Sequence, residues 1–293
     1  MKKIKIGVDL GGSHVSVGIV KDSTVIEQFE KDFTVEEKKD LINVAIDFIV
    51  ATINDLKKIY SFENFGLGMA GVIKDGIILQ SPNIGLKNFN MKEILESKTS
   101  KKVTISNDAS CAALGEYKYG NLSNYNRILF LTLGTGIGGI FIQNGKILEG
   151  DDYTELGHTV IKPNGIQCGC GKKGCFERYG SILVFKNKII ERLNLSHDIS
   201  GPDLRTEIKL NQEQVADIIE EYLNDLCIGL NILIAKLSPD AIVIGGGFAR
   251  YDYLLLEPLK QKLFSNSNLN KNSILIKTAT LGNDAGIIGA SML

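Results

Sequence analysis

The sequence lacks three features that would assign it to a particular class of protein: an excess of charge, a long apolar run and a secretory leader. Its 33 Lys and Arg residues nearly balance 34 Asp and Glu residues among 293, for a formal net charge of −1. Nucleic acid and anionic membranes are therefore not expected partners. No run is long and apolar enough to span a bilayer, and the start, Met1 to Asp9, is too charged for a leader. We expect a cytoplasmic protein that acts on a small molecule.

The composition is that of an ordinary globular protein, with 44% hydrophobic and 23% charged residues. The length fits one large domain or two moderate ones, and we expect two. Strand-like and helical patterns both occur along the chain, which indicates an α/β protein. Apolar periodicity predicts helices over 36–60, 177–193, 212–237, 251–264 and 283–293, strands over 240–244 and 273–278, and a polar connection over 196–209.

Two glycine-rich turns occur in similar hairpin-like units, one between Lys3 and Ile26 and the other between Arg127 and Leu148. Each turn leads from one strand into another, whereas a dinucleotide-binding motif or a P-loop leads from a strand into a helix. Glycines at a hairpin tip permit positive φ and leave backbone N–H groups available to an anion such as phosphate. Two tight turns without a ligand are the alternative. The repetition indicates two related halves.

The tripeptide Asn107-Asp108-Ala109 separates a strand-like run, Lys102 to Ser106, from the start of a helix. Open α/β sheets bind their ligands at the carboxyl ends of strands, which makes Asp108 a candidate for chemistry. An Asp in front of a helix more often serves as its N-cap, and this alternative stays open from the local pattern alone.

Three closely spaced cysteines, Cys168, Cys170 and Cys175, follow His158. Cytosolic thiols are kept reduced, so metal ligation is a better explanation than disulfide bonding. Three thiolates and one imidazole form a closed tetrahedral set, the arrangement of structural rather than catalytic zinc. Cysteines that fall together by chance are the alternative. The other two cysteines lie in apolar helical surroundings and are expected to be inert core residues.

Several polar residues around this segment are suited to a ligand with hydroxyl groups. A metal bound to His158 would fix the nearby carboxylate of Glu155, and Glu177 follows the last cysteine. Rigidly held carboxylates can bind sugar hydroxyls, and Asn83 can both donate and accept hydrogen bonds. Taken singly, each Glu is more often a solvated surface residue. Three glycines at 245–247, after a strand, could support a base or ribose, or form a flexible corner.

Together these features predict phosphoryl transfer from a nucleotide to an alcohol. The two glycine hairpins would bind phosphates, the polar cluster would bind the acceptor, and Asp108 would take the alcohol proton. The alternative is a metal-loop interaction protein whose glycine hairpins are merely turns.

The same residues resemble the ROK family (repressors, open reading frames and kinases) of the actin-like superfamily, over essentially the whole chain. The cysteine segment and the Glu that follows it are the most specific part of this resemblance. The motifs that carry it are Asp9 to Ser13, Asn107 to Ala109, Leu133 to Gly139, Glu155 to His158, Cys168 to Glu177, Gly245 to Gly247 and Ala285 to Ala290.

The resemblance implies a two-lobed, actin-like (ribonuclease H-like) α/β ATPase fold with a cleft, a small domain of residues 1–107 and 281–293, and a larger domain of residues 108–280. It implies ATP, Mg²⁺ and structural Zn²⁺ as cofactors, a sugar as the acceptor, and a homodimer. Asp108 would deprotonate the sugar 6-hydroxyl. The implied sugar-binding residues are Asn83, Asn107, Asp108, Glu155, His158 and Glu177; the ATP-binding residues are Asp9, Gly11, Gly12, Ser13, Gly134, Thr135, Gly136, Gly138 and Gly246; the zinc ligands are His158, Cys168, Cys170 and Cys175.

Three departures from the family pattern are present, and the last of them bears on the choice of sugar. The second loop ends with Gly138-Gly139-Ile140, where the family often has a third glycine. Thr154 stands before Glu155 where the family usually has glycine, and no tryptophan follows Asn83, as it commonly does in glucokinases of the family. The resemblance as a whole implies a hexose 6-kinase acting on glucose, with an N-acylhexosamine such as N-acetylmannosamine as the alternative substrate. A sugar-responsive repressor is a further alternative; it would need a DNA-binding module, whereas this chain begins directly with the first strand and has no basic bias.

Overall fold

The computed structural model describes residues 4–81, 84–120, 122–148, 150–265 and 274–293. No helix within these ranges is both long and apolar enough to cross a lipid bilayer. The strands are β1 (Lys5–Leu10), β2 (His14–Lys21), β3 (Thr24–Asp32), β4 (Asn64–Met69), β5 (Val72–Lys74), β6 (Ile77–Ser81), β7 (Leu86–Phe89), β8 (Lys102–Asn107), β9 (Arg127–Leu133), β10 (Ile137–Gln143), β11 (Lys146–Ile147), β12 (Ala241–Gly245) and β13 (Leu275–Thr278). The helices are α1 (Leu41–Ile59), α2 (Met91–Thr99), α3 (Asp108–Tyr119), α4 (Asp151–Thr154), α5 (Glu177–Gly180), α6 (Ile182–Arg192), α7 (Gly201–Leu210), α8 (Gln212–Leu237), α9 (Asp252–Ser265) and α10 (Asp284–Ala290).

The chain divides into two compact units, one of Met1–Ser123 with Thr280–Leu293 and the other of Asn124–Ala279. Helix α3 therefore lies in the first unit and not, as predicted from the sequence, in the domain that follows residue 107. The reason is its packing against α10, where small residues allow the two backbones to touch. A Cβ atom on Gly289 would lie 1.7 Å from the carbonyl oxygen of Cys111.

The sheet of the first unit has the order β3-β2-β1-β4-β8, with antiparallel pairs among β1 to β3 and parallel pairs from β1 to β8. Side chains alternate along β1 between two faces. Ile6, Val8 and Leu10 are buried in the same core cluster as α1. The other face carries Gly7, whose missing side chain lets β1 approach the backbone of α10, and Asp9. The second face thus brings a carboxylate next to α10.

The sheet of the second unit repeats this arrangement. Its order is β11-β10-β9-β12-β13, again with antiparallel pairs among the first three strands and parallel pairs among the last three. In each unit the glycine turn joins the central strand to its antiparallel neighbour, β1 to β2 and β9 to β10. The prediction of two related halves and of an α/β protein is confirmed.

Two predictions about helices need correction. The helix predicted over 177–193 is interrupted at Ser181, whose hydroxyl accepts the N–H of Val184 and so starts α6 as a separate helix. The segment predicted as a polar connection over 196–209 contains α7. Ser200 caps this helix, and only Leu204 and Ile208 are fully buried, which is too narrow an apolar stripe to stand out in the sequence.

Candidate functional site

Asp9 at the end of β1 and Asp108 at the start of α3 lie close together in the first unit. Because β1 and β8 both pair in parallel with β4, their carboxyl ends reach the same edge of the sheet. Gly68 of β4 lies between them: a Cβ atom there would be 3.1 Å from Cys111 Sγ and 3.6 Å from the Cα atom of Asp108. The fold thus brings together two carboxylates that are distant in sequence.

The surroundings of these two carboxylates disfavour their charged forms. Burial raises the pKa of Asp9 from 3.8 to about 6, with a further contribution from the charge of Asp108, while His14 acts in the opposite direction. Burial also raises the pKa of Asp108, although a hydrogen bond from the backbone N–H of Ala109 partly offsets this. Cys111 lies beneath both carboxylates and is fully buried, as predicted for a core cysteine. Its thiol pKa is raised by burial and then by the charges of Asp9 and Asp108.

The N-cap of α3 is Asn107 and not Asp108. Asn107 Oδ1 accepts the backbone N–H of Ser110 at 3.2 Å, and its Nδ2 donates to the carbonyl oxygen of Gly71 at 3.2 Å. The alternative interpretation of Asp108 as a helix cap is therefore wrong. Asn83, the other predicted sugar-binding amide, lies outside the described residues.

The first glycine loop, residues 11–13, joins β1 to β2. Gly11 donates its N–H to the carbonyl oxygen of His14 at 3.0 Å. Among the described residues, the N–H groups of Gly12 and Ser13 make no backbone hydrogen bond. A Cβ atom on Gly12 would have no described neighbour within 4 Å, and the loop glycines do not adopt positive φ. The protein's own fold therefore does not require glycine at position 12, which leaves open space and bare N–H groups for a bound anion.

The second glycine loop, residues 134–136, shares these properties in the other unit. A Cβ atom on Gly134 would also have no described neighbour within 4 Å, and its φ is not positive. The N–H groups of Thr135 and Gly136 make no backbone hydrogen bond within the described ranges. Gly138, predicted to lie in this loop, instead lies within β10 opposite Thr132. The turn is therefore shorter than the sequence motif indicates.

Glu177 is held against the second glycine loop. Its Oε2 atom accepts the backbone N–H of Ile137 at 3.1 Å, and a Cβ atom on Gly136 would lie 2.2 Å from the same oxygen. Gly136 is thus required for this contact. The arrangement places a carboxylate from the end of the cysteine segment directly at the predicted phosphate-binding turn.

Gly246, predicted to lie near the adenosine, begins a 3-10 turn (Gly246–Tyr251) immediately after β12. It adopts a φ of +71°, and a Cβ atom there would lie 2.8 Å from the carbonyl oxygen of Leu133. Because β9 and β12 are parallel neighbours, this turn and the second glycine loop occur side by side at the carboxyl ends of the two strands. That edge is where α/β sheets bind nucleotides.

The predicted metal ligands converge. One atom from each of His158, Cys168, Cys170 and Cys175 lies within 4.8 Å of the others. Cys168 Sγ is 3.6 Å from His158 Nδ1, and Cys170 Sγ is 3.6 Å from Cys175 Sγ. A tetrahedral zinc ion with Zn–S bonds of ~2.3 Å separates its sulfur ligands by about 3.8 Å. These donors therefore fit zinc in both type and spacing.

We call residues 158–177 the metal loop. Its two limbs are joined by backbone hydrogen bonds, from Phe176 to Thr159 at 2.7 Å and from Ile161 to Gly174 at 2.8 Å. His158 Nε2 lies 3.7 Å from Glu155 Oε2. With Nδ1 directed to the sulfurs, the other ring nitrogen faces the carboxylate, as is usual for histidines that bind metals. The predicted link between the metal ligand and Glu155 is present in this geometry.

Two side chains beside Asp9 escaped the sequence analysis. Ser16 lies directly opposite Asp9 in the β1–β2 register, and its buried hydroxyl has no hydrogen-bond partner among the described residues. His14 Nδ1 lies 3.2 Å from Ser13 Oγ. The signal that could have revealed His14 is its position next to the predicted loop residue Ser13. No sequence signal pointed to Ser16, because its position opposite Asp9 depends on the register of β1 and β2.

Comparisons with known proteins agree on the family to which this chain belongs. The ROK family model matches residues 5–293. A glucokinase of Thermotoga maritima is 32% identical over 100% of this chain and 98% of that protein. An N-acetylmannosamine kinase of Haemophilus influenzae is 28% identical over 98% of this chain and 93% of that protein. The crystal structure of a ROK family glucokinase from Streptomyces griseus, in complex with glucose and AMPPNP, superposes with a TM-score of 0.79 at 28% identity, covering 99% of this chain and 98% of that one. This match confirms the predicted fold, and the protein described here belongs to the ROK family.

Proposed function

We propose that this protein is an ATP-dependent sugar kinase that phosphorylates the 6-hydroxyl of a hexose, principally glucose, with Asp108 as the general base. The observation that carries the proposal is the environment of Asp108. Its carboxylate is partly buried, its pKa is raised, and Asn107 relieves it of capping α3. A base with a raised pKa takes the proton of an alcohol more effectively than an ordinary carboxylate.

The two glycine loops support binding of a nucleotide triphosphate. Among the described residues, each loop has two N–H groups without a backbone hydrogen-bond partner and a glycine beside open space. Aligned N–H groups of this kind bind phosphate oxygens. The Asp9 carboxylate at the first loop provides oxygen donors of the type that Mg²⁺ prefers, and Mg²⁺ bound with ATP would neutralise the charge on the phosphoryl group. The residues proposed to contact ATP are Asp9, Gly11, Gly12, Ser13, Gly134, Thr135, Gly136 and Gly246.

Carboxylate, imidazole and amide groups are proposed to bind the sugar hydroxyls, among them Glu155, His158 and Glu177. The metal loop supports this role because a bound metal would restrain His158, and the backbone N–H of Ile137 holds the Glu177 carboxylate. Groups held rigidly in this way lose little entropy on binding. Asn107 and Asn83 are proposed as further sugar contacts, and zinc would be structural.

An N-acylhexosamine such as N-acetylmannosamine is the second candidate substrate. It is favoured by the N-acetylmannosamine kinase relative, which matches nearly the full chain, and by the absence of tryptophan after Asn83. The same base and phosphate loops would serve both sugars, so the choice depends on the residues that surround the acceptor's second carbon.

The experiment that tests the proposal is a coupled assay of ADP release with Mg-ATP and glucose, N-acetylmannosamine, N-acetylglucosamine, allose or fructose. We expect glucose to give the highest kcat/KM and phosphorus NMR to identify the 6-phosphate. Higher kcat/KM with N-acetylmannosamine would replace the first candidate by the second. Absence of turnover with every sugar, together with sugar binding in calorimetry, would favour a sugar-sensing protein instead.

We also propose a cytoplasmic homodimer. ATP as the phosphoryl donor and a site that requires three reduced thiols both support the location, whereas the dimer follows from the family resemblance alone. Sedimentation equilibrium at micromolar concentration would test it, with a mass near twice that of the 32.0 kDa chain as the expected result.

A further inference from the structure

Asp225 of α8 is a buried carboxylate outside the predicted site. Its exposed fraction is 3%, and its Oδ1 atom lies 2.5 Å from Lys162 Nζ. A buried carboxylate is costly unless a partner compensates its charge. Lys162 belongs to the metal loop, so this ion pair connects the loop to the long helix that supports it.

Lys162 is bound to the rest of the metal loop through its backbone and its side chain. Its N–H donates to the carbonyl oxygen of Gly174 at 3.2 Å, and its own carbonyl accepts the N–H of Gly165 at 2.9 Å. Its Nζ atom lies 4.5 Å from the ring centroid of Tyr179, and the hydroxyl of that ring accepts the N–H of Ile166 at 2.7 Å. Movement of Lys162 would therefore displace both limbs of the loop.

The same part of α8 also contacts the end of the cysteine segment. The hydroxyl of Tyr222 donates to the carbonyl oxygen of Gly180 at 2.9 Å. One turn beyond Asp225, a Cβ atom on Gly229 would lie 2.5 Å from the ring of Phe176. Tyr222 and Phe176 fix the side of the loop that leads into Glu177, whereas Asp225 fixes the side that follows His158.

We propose that the Asp225–Lys162 ion pair is a positioning device that keeps the metal loop closed around its ligands and holds Glu177 at the second glycine loop. Asp225 is buried, whereas the Lys162 side chain is 36% exposed. We expect such a pair to contribute little net stability compared with apolar residues of similar size, and to fix one arrangement of the groups it joins. The effect on zinc retention follows from the loop geometry alone. The effect on sugar binding rests on the proposed function.

The test compares Asp225→Asn with Lys162→Arg, with the double variant Asp225→Leu/Lys162→Met and with a matched control. The control is Glu221→Gln, which breaks the ion pair of the same helix with Lys188 (2.8 Å) without touching the metal loop. Zinc release to a chromogenic chelator, KM for glucose and KM for ATP are measured on the purified full chain. The double variant replaces the pair by apolar side chains, so it retains a folded core if Asp225→Asn does not.

Zinc release from Asp225→Asn and from the double variant is expected to be about 10 to 100 times faster than from the wild type, as for loss of other groups that orient metal ligands. KM for glucose should rise by a similar factor while KM for ATP stays within about threefold. Lys162→Arg and Glu221→Gln should behave as the wild type. The proposal would be overturned if both disrupted variants released zinc at the wild-type rate. It would also be overturned if Glu221→Gln released zinc as fast as they do, or if the wild-type protein bound no zinc. A chain without kinase activity would overturn the proposed function only, because zinc release is measured without turnover.

Discussion

Asn107 Oδ1 accepts the backbone N–H of Ser110 at 3.2 Å, so the residue in front of Asp108 caps the helix that Asp108 begins. Asp108 then needs only its Oδ1 atom for the protein itself, to accept the N–H of Ala109 at 2.8 Å. Its Oδ2 atom has no hydrogen bond among the described residues. Asn107 thus caps α3, which leaves Asp108 free for the chemical role proposed for it, and the two roles can be tested by separate mutations.

Asp108→Asn should abolish most activity while leaving the fold intact. The amide keeps the size of the carboxylate and cannot accept the sugar proton, so kcat should fall about 10²-fold or more. KM for ATP should change little, because Asp108 is proposed to act on the sugar hydroxyl and not on the nucleotide. Steady-state kinetics, with circular dichroism to confirm folding, make the measurement. Near-wild-type kcat in this variant would exclude Asp108 as the base.

Asn107→Ala should lower stability through the loss of the cap. Removal of an N-cap side chain costs about 1 kcal/mol of unfolding free energy, and the hydrogen bond to Gly71 is lost as well. Urea unfolding followed by circular dichroism measures this change. Asn107→Asp, which retains the capping oxygen, is the control and should recover part of the loss. Equal stability of the Ala variant and the wild type would contradict the assignment of the cap.

Asp9→Asn should stabilise the ligand-free protein at neutral pH but not at pH 4. The folded-state pKa of Asp9, about 6, exceeds its usual value of 3.8. Between these values the folded protein binds more protons than the unfolded chain, so its stability falls as pH rises. Each pH unit of difference corresponds to ~1.4 kcal/mol, which gives the Asn variant an advantage of about 2 to 3 kcal/mol at pH 7.

Urea unfolding of wild type and Asp9→Asn at pH 4, 5, 6 and 7, without nucleotide or Mg²⁺, tests this linkage. Asp47→Asn is a matched control, since this carboxylate is exposed on α1, its side chain being 76% accessible. It should show no comparable change over the same range. If the difference in unfolding free energy between Asp9→Asn and the wild type stayed constant from pH 4 to pH 7, the pKa of Asp9 would not be raised in the folded protein.

Gly134→Ala should weaken ATP binding without loss of stability, whereas Gly157→Ala should lower stability. At Gly134 a Cβ atom has no described neighbour within 4 Å, so the fold should tolerate alanine, whereas the methyl group would occupy the space proposed for phosphate. We expect an unchanged melting temperature and a KM for ATP raised about tenfold or more, since small misplacements of reacting groups are costly. At Gly157 a Cβ atom would lie 2.1 Å from the carbonyl oxygen of Ile137. That overpacking should cost about 1 to 3 kcal/mol of stability. A Gly134→Ala variant with wild-type KM for ATP would remove the second loop from the nucleotide site.

Features encoded by short stretches of sequence could be predicted, and those that depend on strand order could not. The metal ligands converge because three of them fall within eight residues, and the paired hairpins follow from turns that lie between adjacent strands. The proximity of Asp9 to Cys111 and the contact of Glu177 with Ile137 require the sheet order β1-β4-β8 and the packing of the metal loop on β10. Period-2 and period-3.6 patterns carry no information about either.

The Asp225–Lys162 pair illustrates the same limit in another way. Asp225 falls at a position of α8 whose helical neighbours, Tyr222 and Leu226, are buried, while Lys162 belongs to an irregular loop. The pattern of each segment alone predicts an exposed charge. Only the packed structure shows that the two charges compensate each other.

Removal of zinc should destabilise the second unit without affecting the first. A site occupied at a free zinc concentration 100 times its Kd contributes ~2.7 kcal/mol to folding, and chelation removes that contribution. Cys175→Ser should have the same effect, because Cys175 is a fully buried member of the predicted ligand set. Cys227→Ser changes a buried cysteine outside that set and should retain about one zinc per chain. Metal analysis of protein purified without added zinc, and calorimetric melting before and after chelation, make the measurement.

Because Glu177 directly follows Cys175 and Phe176 and reaches Ile137 from there, zinc loss should also weaken glucose binding more than ATP binding. A protein that is free of metal, fully folded and fully active would show that the convergence of the three cysteines and His158 has no structural role.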